Sequence, residues 1–555
     1  MAQSVEPQMA DFVHGRQEQT MNKELESTKN NLLAELEKRV VDKILERSNA
    51  DLLGKLITNA ESVNEAIAIA QLGTTYKKTG LHYDKRLEKQ TSEIKYFKKN
   101  EELSFSDGSK TIPHKLIIGD NYDALRNLLI QYRGKVDVIY IDPPYGKDSM
   151  GESAKTNYEN TISRDNLLSM LYPRLVLAKQ LLAPEGIIFC SIDDRNHAYV
   201  KCLFDDVFEE SNFEGQIHWR RRHNQPNDRK KLIGIVAEHI LAYSKDIRYH
   251  KEYGVGKVGI TGTFTNPDND PRGPWASKPW KTGGNQGGSM YKITSPTGKV
   301  FYEEWMGDEN TYKQLLEDKR IYFPNNGNSA PRKKYYENER KEEGQCAINW
   351  WPNDRFGCNQ DATDELKSIF DGETPLDNPK PTKLIKALIK LGTIKEEAII
   401  LDFYAGSGTT AHAVNELNRE GYKHQCLLCQ LNEVTDKNPH GIALDVTAPR
   451  LKRIMTGSCY TPSDKYPFYS GSNDFPWLKD NEIYGGSLDV YELDTVSDSE
   501  HIKGKTAFDV IDETLYGKAK FERLEDKIQW VCEHFEVTEK SIESDKDWFK
   551  RVEDK

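Results

Sequence analysis

The first part of the chain has the hydrophobic spacing of helices. Over residues 25–45, aliphatic residues recur at three- and four-residue intervals among charged ones, which predicts an amphipathic helix. Ser62 and Glu65 have the spacing of a capping box, and Gly73 is a residue type that commonly follows a helix end, so a second helix is predicted between Ser62 and Gly73. We therefore expect a helical extension over residues 1–75, which could form a dimer, bind a partner or pack on the rest of the chain.

From residue 115 onward, short apolar runs alternate with segments of helical spacing. This alternation predicts a mostly parallel β-sheet covered by helices, and so a protein of the α/β class. The predicted strands cover residues 115–119, 136–141, 186–192, 235–243, 398–401 and 425–430, and the predicted helices cover residues 166–182 and 382–391.

A stretch rich in Gly, Pro, Asn and Trp interrupts this pattern. Because the regularity fades at about residue 246 and resumes after residue 344, we expect an irregular insert over 246–345 within one α/β domain. The insert divides that domain into a first half, 76–245, and a second half, 346–456. A small α/β appendage is expected over 457–555.

Composition restricts the class of protein. The chain has 555 residues, enough for a large core with appended parts, and it contains no stretch of eighteen apolar residues and no signal-peptide pattern at its start. We therefore expect a soluble, cytoplasmic protein without a membrane partner. The closest pair of its eight cysteines, Cys426 and Cys429, lies in a predicted buried strand, so no metal site is predicted.

The charge of the chain is unevenly distributed. A formal net charge of -11 argues against a protein that coats nucleic acid, yet a specific DNA-binding protein needs only one basic face. Residues 217–245 contain seven basic residues against two acidic ones, and the basic series begins with Arg220, Arg221 and Arg222. This segment is either a solvated face or a surface that contacts phosphates.

The predicted strand 136–141 runs directly into Asp142-Pro143-Pro144-Tyr145, at the edge where open α/β sheets have their active sites. The Asp142 carboxylate and the Pro143 carbonyl are two acceptors, and Pro144 stiffens the turn. Two acceptors suit the exocyclic amine of a base, whose lone pair is delocalised into the ring, and Tyr145 can stack on a base flipped out of a duplex. The alternative is a turn in which these residues serve only the geometry.

A second predicted strand, 398–401, leads into a glycine-rich turn and a helix. Gly406 and Gly408 would allow a ligand to approach the backbone closely. The turn also fits a loose dinucleotide-binding fingerprint, in which the helix N-terminus would hold a pyrophosphate. For a sulfonium cofactor, which has an amino group and no phosphate, Asp402 would instead accept a hydrogen bond from the amine.

The tetrad 142–145, the insert and the glycine-rich turn, in that order, resemble the β class of DNA amino-methyltransferases. Within this class, residues 74–457 resemble the Mod (modification) subunits of type III restriction-modification systems. The resemblance implies a Rossmann-like fold that binds S-adenosylmethionine and transfers a methyl group to N6 of adenine. The catalytic residues would be Asp142, Pro143, Pro144 and Tyr145.

The resemblance also implies residues of the cofactor site. Asp120 would contact the cofactor adenine, and Lys380 and Thr382 would hold the methionine end. Where the family often has an acid that contacts the ribose, this chain has Gln430, with Glu433 three residues further on. The remaining cofactor-binding candidates are Asp402, Phe403, Ala405, Gly406, Ser407, Gly408 and Thr409.

In this class the insert would recognise the DNA site. Its aromatic residues could stack on bases, and its basic residues could contact phosphates or base edges. The candidates are Trp275, Lys278, Lys281, Arg332, Lys333 and Lys334, together with Arg220, Arg221 and Arg222. The partners implied are double-stranded DNA, a second copy of the chain as a homodimer, and a restriction (Res) helicase-nuclease subunit.

Three other functions fit part of the sequence. Methylation of cytosine N4 uses the same geometry, but that reaction more often has Ser at the position of Asp142. A nicotinamide-dependent oxidoreductase would account for the glycine-rich turn but would leave the tetrad unused. A non-catalytic DNA-binding partner of a nuclease is disfavoured because the tetrad is intact.

Overall fold

The structure is a computed structural model that describes residues 25–41, 45, 47–72, 93–109, 111–145, 164–224, 232–253, 256, 263–283, 287–343, 346–463, 466, 471–497 and 507–535. The chain forms two compact units, Met1–Tyr83 and Asp84–Lys555. Within the described ranges, no helix is both long and apolar enough to cross a membrane.

The described residues of the first unit form three helices, which are α1 (25–41), α2 (Arg47–Thr58) and α3 (Val63–Leu72). The start predicted for the second helix is confirmed, because the Ser62 hydroxyl accepts a hydrogen bond from the Glu65 amide at 3.2 Å. Its predicted end at Gly73 lies outside the described residues. Helix α2 was not predicted, and its Leu53 and Ile57 are buried in the core of this unit.

The second unit is built on an eleven-stranded sheet in the order β1-β16-β3-β15-β14-β4-β5-β7-β6-β13, with β2 paired to β16. Neighbours from β16 to β5 are parallel, and β7 is antiparallel to both β5 and β6. The strands are β1 (Glu93–Lys99), β2 (Phe105–Ser106), β3 (His114–Ile118), β4 (Val136–Ile141), β5 (Leu182–Ile192), β6 (Phe213–Arg220), β7 (Ala237–Ser244), β13 (Trp350–Trp351), β14 (Ile399–Asp402), β15 (Gln425–Gln430) and β16 (Ser487–Ser497).

The central strands are buried because helices cover the sheet. All residues of β3 and β4 are buried, as is usual for parallel strands, which appear in sequence as continuous apolar runs. The helices of this unit are α4 (Asn121–Tyr132), α5 (Arg164–Leu181), α6 (His197–Phe208), α7 (Ile247–Tyr253), α8 (Glu309–Glu317), α9 (Pro324–Gly327), α10 (Glu337–Glu343), α11 (Asn353–Phe356), α12 (Asn359–Ile369), α13 (Thr382–Gly392), α14 (Thr409–Arg419), α15 (Ala448–Thr456), α16 (Trp477–Asp480), α17 (Ala507–Val510) and α18 (Leu524–Phe535). The prediction of an α/β sheet covered by helices is thus confirmed.

The insert is more regular than expected. It contains a hairpin of β9 (Ser289–Thr294) and β10 (Val300–Trp305), and a sheet in the order β11 (Ile321–Tyr322), β12 (Arg332–Tyr336), β8 (Trp275–Pro279). A small core of its own explains this order, and its buried members are Trp280, Tyr291, Ile293, Trp305, Tyr312 and Ile321. The predicted boundary at residue 246 is also too early, because the His250 ring of α7 hydrogen-bonds the Glu185 carbonyl of β5 at 2.9 Å.

The expectation of a separate C-terminal appendage is wrong. Strand β16 lies inside the main sheet, antiparallel to β1 and parallel to β3. Its Leu488 and Val490 are fully buried in the main core. The segment after residue 457 therefore completes the α/β domain, because without β16 one edge of β3 would lose its hydrogen-bonding partner.

Candidate functional site

The predicted functional residues meet at one edge of the sheet. Strands β3, β15, β14 and β4 are parallel, so their carboxyl ends lie side by side. The residues at these ends are Asp120 after β3, Gln430 on β15, Asp402 on β14 and Asp142 after β4. The edge therefore brings together both sequence motifs, although some 260 residues separate them in the chain.

Asp142 lies in a network of charged and hydroxyl groups. Its Oδ1 accepts a hydrogen bond from the Tyr145 hydroxyl at 2.6 Å, and its Oδ2 accepts one from Lys380 Nζ at 2.6 Å. The backbone of the loop is fixed as well, because the Asn196 side-chain amide donates to the Tyr145 carbonyl at 2.5 Å. The Asp142 side chain is 26% exposed, whereas that of Lys380 is 8% exposed, so the carboxylate is the part of the network that solvent reaches.

The sequence did not predict the second carboxylate of this network, Glu238. Its Oε1 is 2.5 Å from the Tyr145 hydroxyl and 3.0 Å from Lys380 Nζ, and its Oε2 is 3.5 Å from Arg221 Nη1. Glu238 was counted as a surface charge in the basic segment, yet its side chain is only 2% exposed. The available signal is a single acid inside β7, a strand that is otherwise uncharged apart from a histidine and is mostly buried.

The two carboxylates differ in their electrostatics. Burial raises the pKa of Asp142, and the neighbouring Glu238 adds to this increase, although Lys380 opposes it. Burial alone would also raise the pKa of Glu238, but the positive charges of Lys380 and Arg221 outweigh it and lower that pKa. Of the two groups, Glu238 is therefore the more firmly ionised.

The Asp402 side chain holds the backbone of the glycine-rich turn that follows β14. The Asp402 carboxylate accepts from the Tyr404 amide at 2.9 Å and from the Thr410 hydroxyl at 2.6 Å, and burial raises its pKa to about 7. Gly406 has a φ of 52°, in the left-handed region that favours glycine. Its amide donates to Gln430 Oε1 at 2.7 Å, so the Gln430 side chain braces the turn.

Several predicted cofactor contacts are used inside the protein instead. The Ser407 and Thr409 hydroxyls each accept a hydrogen bond from Arg450 Nη1 at 2.9 Å, and the Thr382 hydroxyl donates to Glu365 at 2.6 Å. These hydrogen bonds lie within the protein, and the predicted contacts of Ser407, Thr409 and Thr382 with a cofactor stay predictions. The same holds for Phe403, whose side chain is buried in the core, and for Lys380, whose ammonium lies in the Asp142 network.

The groups that remain accessible at the turn belong to three adjacent strand ends. Asp120 accepts from the Tyr122 amide at 2.8 Å and pairs with Arg174 at 3.0 Å, but its side chain is 43% exposed. Asn121 next to it donates to the Phe403 carbonyl at 2.8 Å and so ties the end of β3 to the glycine-rich turn. The partly exposed residues around this cleft are Asp120, Tyr404, Gly406, Gln430 and Glu433.

A family model described as DNA methylase (N6_N4_Mtase) matches residues 136–435, more than half of the chain. This chain belongs to that family. The match begins at β4, the strand that leads into the tetrad, and ends beyond Glu433, so it includes both motifs and the insert. A second model, described only as an uncharacterised conserved protein, matches residues 18–138.

Curated relatives of this chain are subunits of restriction-modification enzymes. The chain is 35% identical over 358 residues to the type III restriction-modification enzyme StyLTI Mod subunit of Salmonella typhimurium, covering 59% of this chain and 53% of that protein. It is 29% identical over 419 residues to the EcoP15I Mod subunit of Escherichia coli, covering 62% of this chain and 63% of that protein. The chain thus spans a little over half to under two thirds of the length of these relatives. The family resemblance inferred from the two motifs is confirmed.

Three of the residues predicted to contact DNA have structural roles. Lys334 is buried and pairs with Asp268 and, at 3.1 Å, with Asp270, so its prediction as a DNA contact is wrong. Trp275 is also buried, and its indole N–H donates to Asp268 at 2.8 Å. Arg332 donates to the side chain and the carbonyl of Ser277, each at 2.8 Å.

The three arginines of the basic segment differ from one another. Arg221 points towards Glu238, and Arg220 donates to the carbonyls of Arg222 and His223 in its own loop at 3.3 and 3.1 Å. Only Arg222 has an exposed side chain, and in the insert Lys278 and Lys281 are exposed and Lys333 is partly exposed. These four residues remain the basic DNA-contact candidates of the methylase.

Proposed function

We propose that this protein is a site-specific DNA methyltransferase that transfers the methyl group of S-adenosylmethionine to N6 of adenine in double-stranded DNA. The observation that carries the proposal is the position of the tetrad beside the glycine-rich turn, at the carboxyl ends of neighbouring strands in a member of a DNA methylase family. A methyl donor in the cleft of the turn would lie next to an acceptor amine at the tetrad.

The tetrad supplies what an exocyclic amine needs in order to react. The amine of adenine is a weak nucleophile because its lone pair is delocalised into the ring. The Asp142 carboxylate accepts a hydrogen bond from one amine hydrogen, and the Pro143 carbonyl accepts the other, which draws the lone pair towards the nitrogen. Tyr145 stacks on the flipped base and keeps it in register. Positioning and polarisation thus provide the acceleration.

The accessible groups at the cleft fit S-adenosylmethionine. When bound, this cofactor supplies an activated methyl group on a sulfonium centre. The left-handed backbone at Gly406 keeps the surface of the turn free of a side chain, and the Asp120 carboxylate is available at the rim for a polar group of the adenosine moiety. Gln430 at the end of β15 and Glu433 just after it are both partly exposed and are the candidates for the ribose hydroxyls.

Adenine is favoured over cytosine as the target. Both bases present an exocyclic amine, and a DNA methylase could act on either. The acceptor in this chain is Asp142, whereas N4-cytosine enzymes of this class more often have Ser at this position. The similarity to type III Mod subunits supports the same choice.

The partners of the protein follow from the same similarity. The relatives are named as Mod subunits of type III restriction-modification enzymes, which supports a role as the modification subunit of such a system in the cytoplasm of a prokaryotic cell. A homodimer and an association with a restriction (Res) subunit are part of this proposal.

The direct test measures the methylated base. Purified protein is incubated with S-adenosylmethionine and unmethylated genomic DNA, and the nucleosides are identified by mass spectrometry. N6-methyladenine should appear only with the cofactor present, and sequencing of methylated adenine in cells that express the protein should reveal one DNA site. Formation of N4-methylcytosine, or of no methylated base, would overturn the proposal.

A further inference from the structure

The Tyr145 hydroxyl is shared between the two carboxylates of the network around Asp142. The Tyr145 hydroxyl has a single hydrogen but lies within hydrogen-bond distance of two carboxylates, at 2.6 Å from Asp142 Oδ1 and 2.5 Å from Glu238 Oε1. It can donate to only one of them at a time. Lys380 has three N–H groups, and they face Asp142 Oδ2, Glu238 Oε1 and the Tyr145 hydroxyl at 2.6, 3.0 and 3.1 Å.

This arrangement matters because both oxygens of Asp142 already have donors. A target amine that approaches Asp142 competes with the Tyr145 hydroxyl for Oδ1. Rotation of the Tyr145 O–H bond towards Glu238 removes that competitor without the movement of any heavy atom. Glu238 is therefore an alternative acceptor that can release one oxygen of Asp142.

The charges of the network lead to the same role. Asp142 and Glu238 are balanced by Lys380 and Arg221, so that the buried group is neutral as a whole. Without the charge of Glu238, Lys380 and Tyr145 would both bind Asp142 alone. The carboxylate would then be held more tightly by the protein and would be a poorer acceptor for a ligand.

We propose that Glu238 is a positioning residue for methyl transfer, which shares Lys380 and the Tyr145 hydroxyl with Asp142 and so keeps the Asp142 carboxylate available to the target amine. Glu238 does not touch the base in this role. It acts through Tyr145 and Lys380, and the inference rests on the proposed function.

The role predicts a change in the pH profile as well as in rate. The titratable and charged groups that face Asp142 are Tyr140, Tyr145, Cys190, Arg221, Glu238, Lys380 and Asp402. Among them Glu238 contributes to the raised pKa of Asp142, so its removal lowers this pKa. In Glu238→Gln, the acidic limb of the rate profile should therefore move to lower pH while the plateau rate falls.

The experiment measures single-turnover methyl transfer to adenine from pH 5 to 9 with the full chain. Glu238→Gln should reduce the plateau rate by about 10- to 100-fold, the loss typical of a residue that orients a functional group through a hydrogen bond, with the affinity for S-adenosylhomocysteine unchanged. Glu238→Asp, which retains the charge, should keep the parental acidic limb and recover part of the rate. Glu252→Gln, an exposed substitution on α7, is the matched control and should behave as the parent.

Each outcome distinguishes the role of Glu238 from the function itself. If the parent methylates adenine and Glu238→Gln has a parental rate or an unmoved acidic limb, the positioning role is overturned while the function stands. If Glu238→Gln does not bind S-adenosylhomocysteine, the decision rests on Glu238→Asp. A parental methyl-transfer rate in Glu238→Asp, together with an acidic limb displaced from that of the parent, would overturn the role. Absence of methyl transfer by the parent overturns the function and this role with it.

Discussion

At the scale of single residues, the candidate site depends on carboxylates that have different tasks. Asp142 is partly exposed and shares its donors with Glu238, whereas Asp402 is buried and holds the backbone of the glycine-rich turn. The exposed carboxylate can meet a substrate, and the buried one shapes the surface against which a cofactor would lie. Substitutions of Asp142 and Asp402 should therefore have separable effects.

Asp142→Ala should abolish turnover and leave binding intact. The carboxylate is the acceptor for the target amine, and its loss should reduce the methyl-transfer rate by at least about 10²- to 10³-fold. The variant retains the pairing of Lys380 with Glu238, so no buried charge is left alone. DNA binding is measured by gel shift and cofactor binding by calorimetry. Asp246→Ala, just after β7 at the opposite edge of the sheet, serves as the control, and near-normal turnover by Asp142→Ala would refute the acceptor role.

Asp402→Asn should gain stability relative to the parent as the pH rises towards neutrality. Burial raises the pKa of Asp402 to about 7, so the folded state binds its proton more tightly than the unfolded chain does. The stability of the parent is then highest below the ordinary carboxyl pKa and falls as pH rises to about 7, whereas Asn never ionises. The gain from the substitution should grow from pH 5 to pH 7 and level off above it, at roughly 1–4 kcal/mol.

Urea unfolding of both proteins between pH 5 and pH 8.5 checks this prediction. Cofactor affinity should fall in the same variant, because an amide provides a weaker acceptor than a carboxylate. A stability difference that does not depend on pH would show that Asp402 is not titrating in this range.

At the scale of elements, the turn between β14 and α14 is the part that a cofactor would contact most closely. Gly406→Leu should abolish binding of S-adenosylhomocysteine, since a side chain would project from the surface of the turn and the left-handed backbone would be strained. Packing does not exclude a side chain at this position, because an added Cβ would lie 3.6 Å from the Leu376 side chain, which is an ordinary van der Waals distance. Equilibrium dialysis with labelled ligand measures the affinity.

Gly421→Leu is the matched control for this prediction. Gly421 follows the other end of α14, has a φ of 109°, and an added Cβ would meet nothing within 4 Å. Both variants therefore suffer backbone strain, but only one of them alters the turn. Equal affinities for the ligand in the two variants would rule out the turn as the cofactor site.

The elements also differ in how far their sequence predicts them. Nearly every residue of strands β4 and β15 is buried. Their continuous apolar runs predict the observed bounds, 136–141 and 425–430. Strand β16 was missed because polar residues alternate along it, and its neighbours β1 and β3 lie some 370 to 400 residues earlier in the chain. No local pattern encodes a pairing at that separation.

The candidate site also contains some residues that the sequence predicts and others that it does not. Asp142 and the glycine-rich turn could be predicted because each directly follows a recognisable strand. The partners of Asp142 could not, since Glu238 and Lys380 come from distant parts of the chain and meet it only in the folded sheet. For Lys334 and Trp275, a charged or aromatic residue in an apparently irregular segment suggests a binding surface, but both side chains are buried and bind Asp270 or Asp268.

At the scale of the whole molecule, a net charge of -11 requires that contact with DNA be confined to local basic surfaces. Among the basic residues of the insert that the sequence predicts as DNA contacts, three are exposed or partly exposed and are not bound to Ser277 or Asp270. Lys278 and Lys281 are exposed and Lys333 is partly exposed, and Lys278 and Lys333 lie opposite each other on the paired strands β8 and β12. Lys281 pairs with Glu303 at 2.7 Å, an exposed contact that a phosphate could replace.

Replacement of Lys278, Lys281 and Lys333 by Gln should weaken DNA binding and leave cofactor affinity unchanged, because the glycine-rich turn is built from other strands. If the three lysines contact phosphates, specific and random duplexes should weaken alike, and each lost contact should reduce the slope of log affinity against log salt by about 0.9. If one of them reads a base, discrimination at one position of the site should relax instead.

A matched triple variant of exposed lysines outside the insert, Lys423, Lys479 and Lys520, removes the same charge and controls for it. Titration of both duplexes at several salt concentrations distinguishes these cases. If the variant of the three insert lysines has the salt slope of the parent, these lysines do not contact phosphates, and the exposed Arg222 is the next candidate.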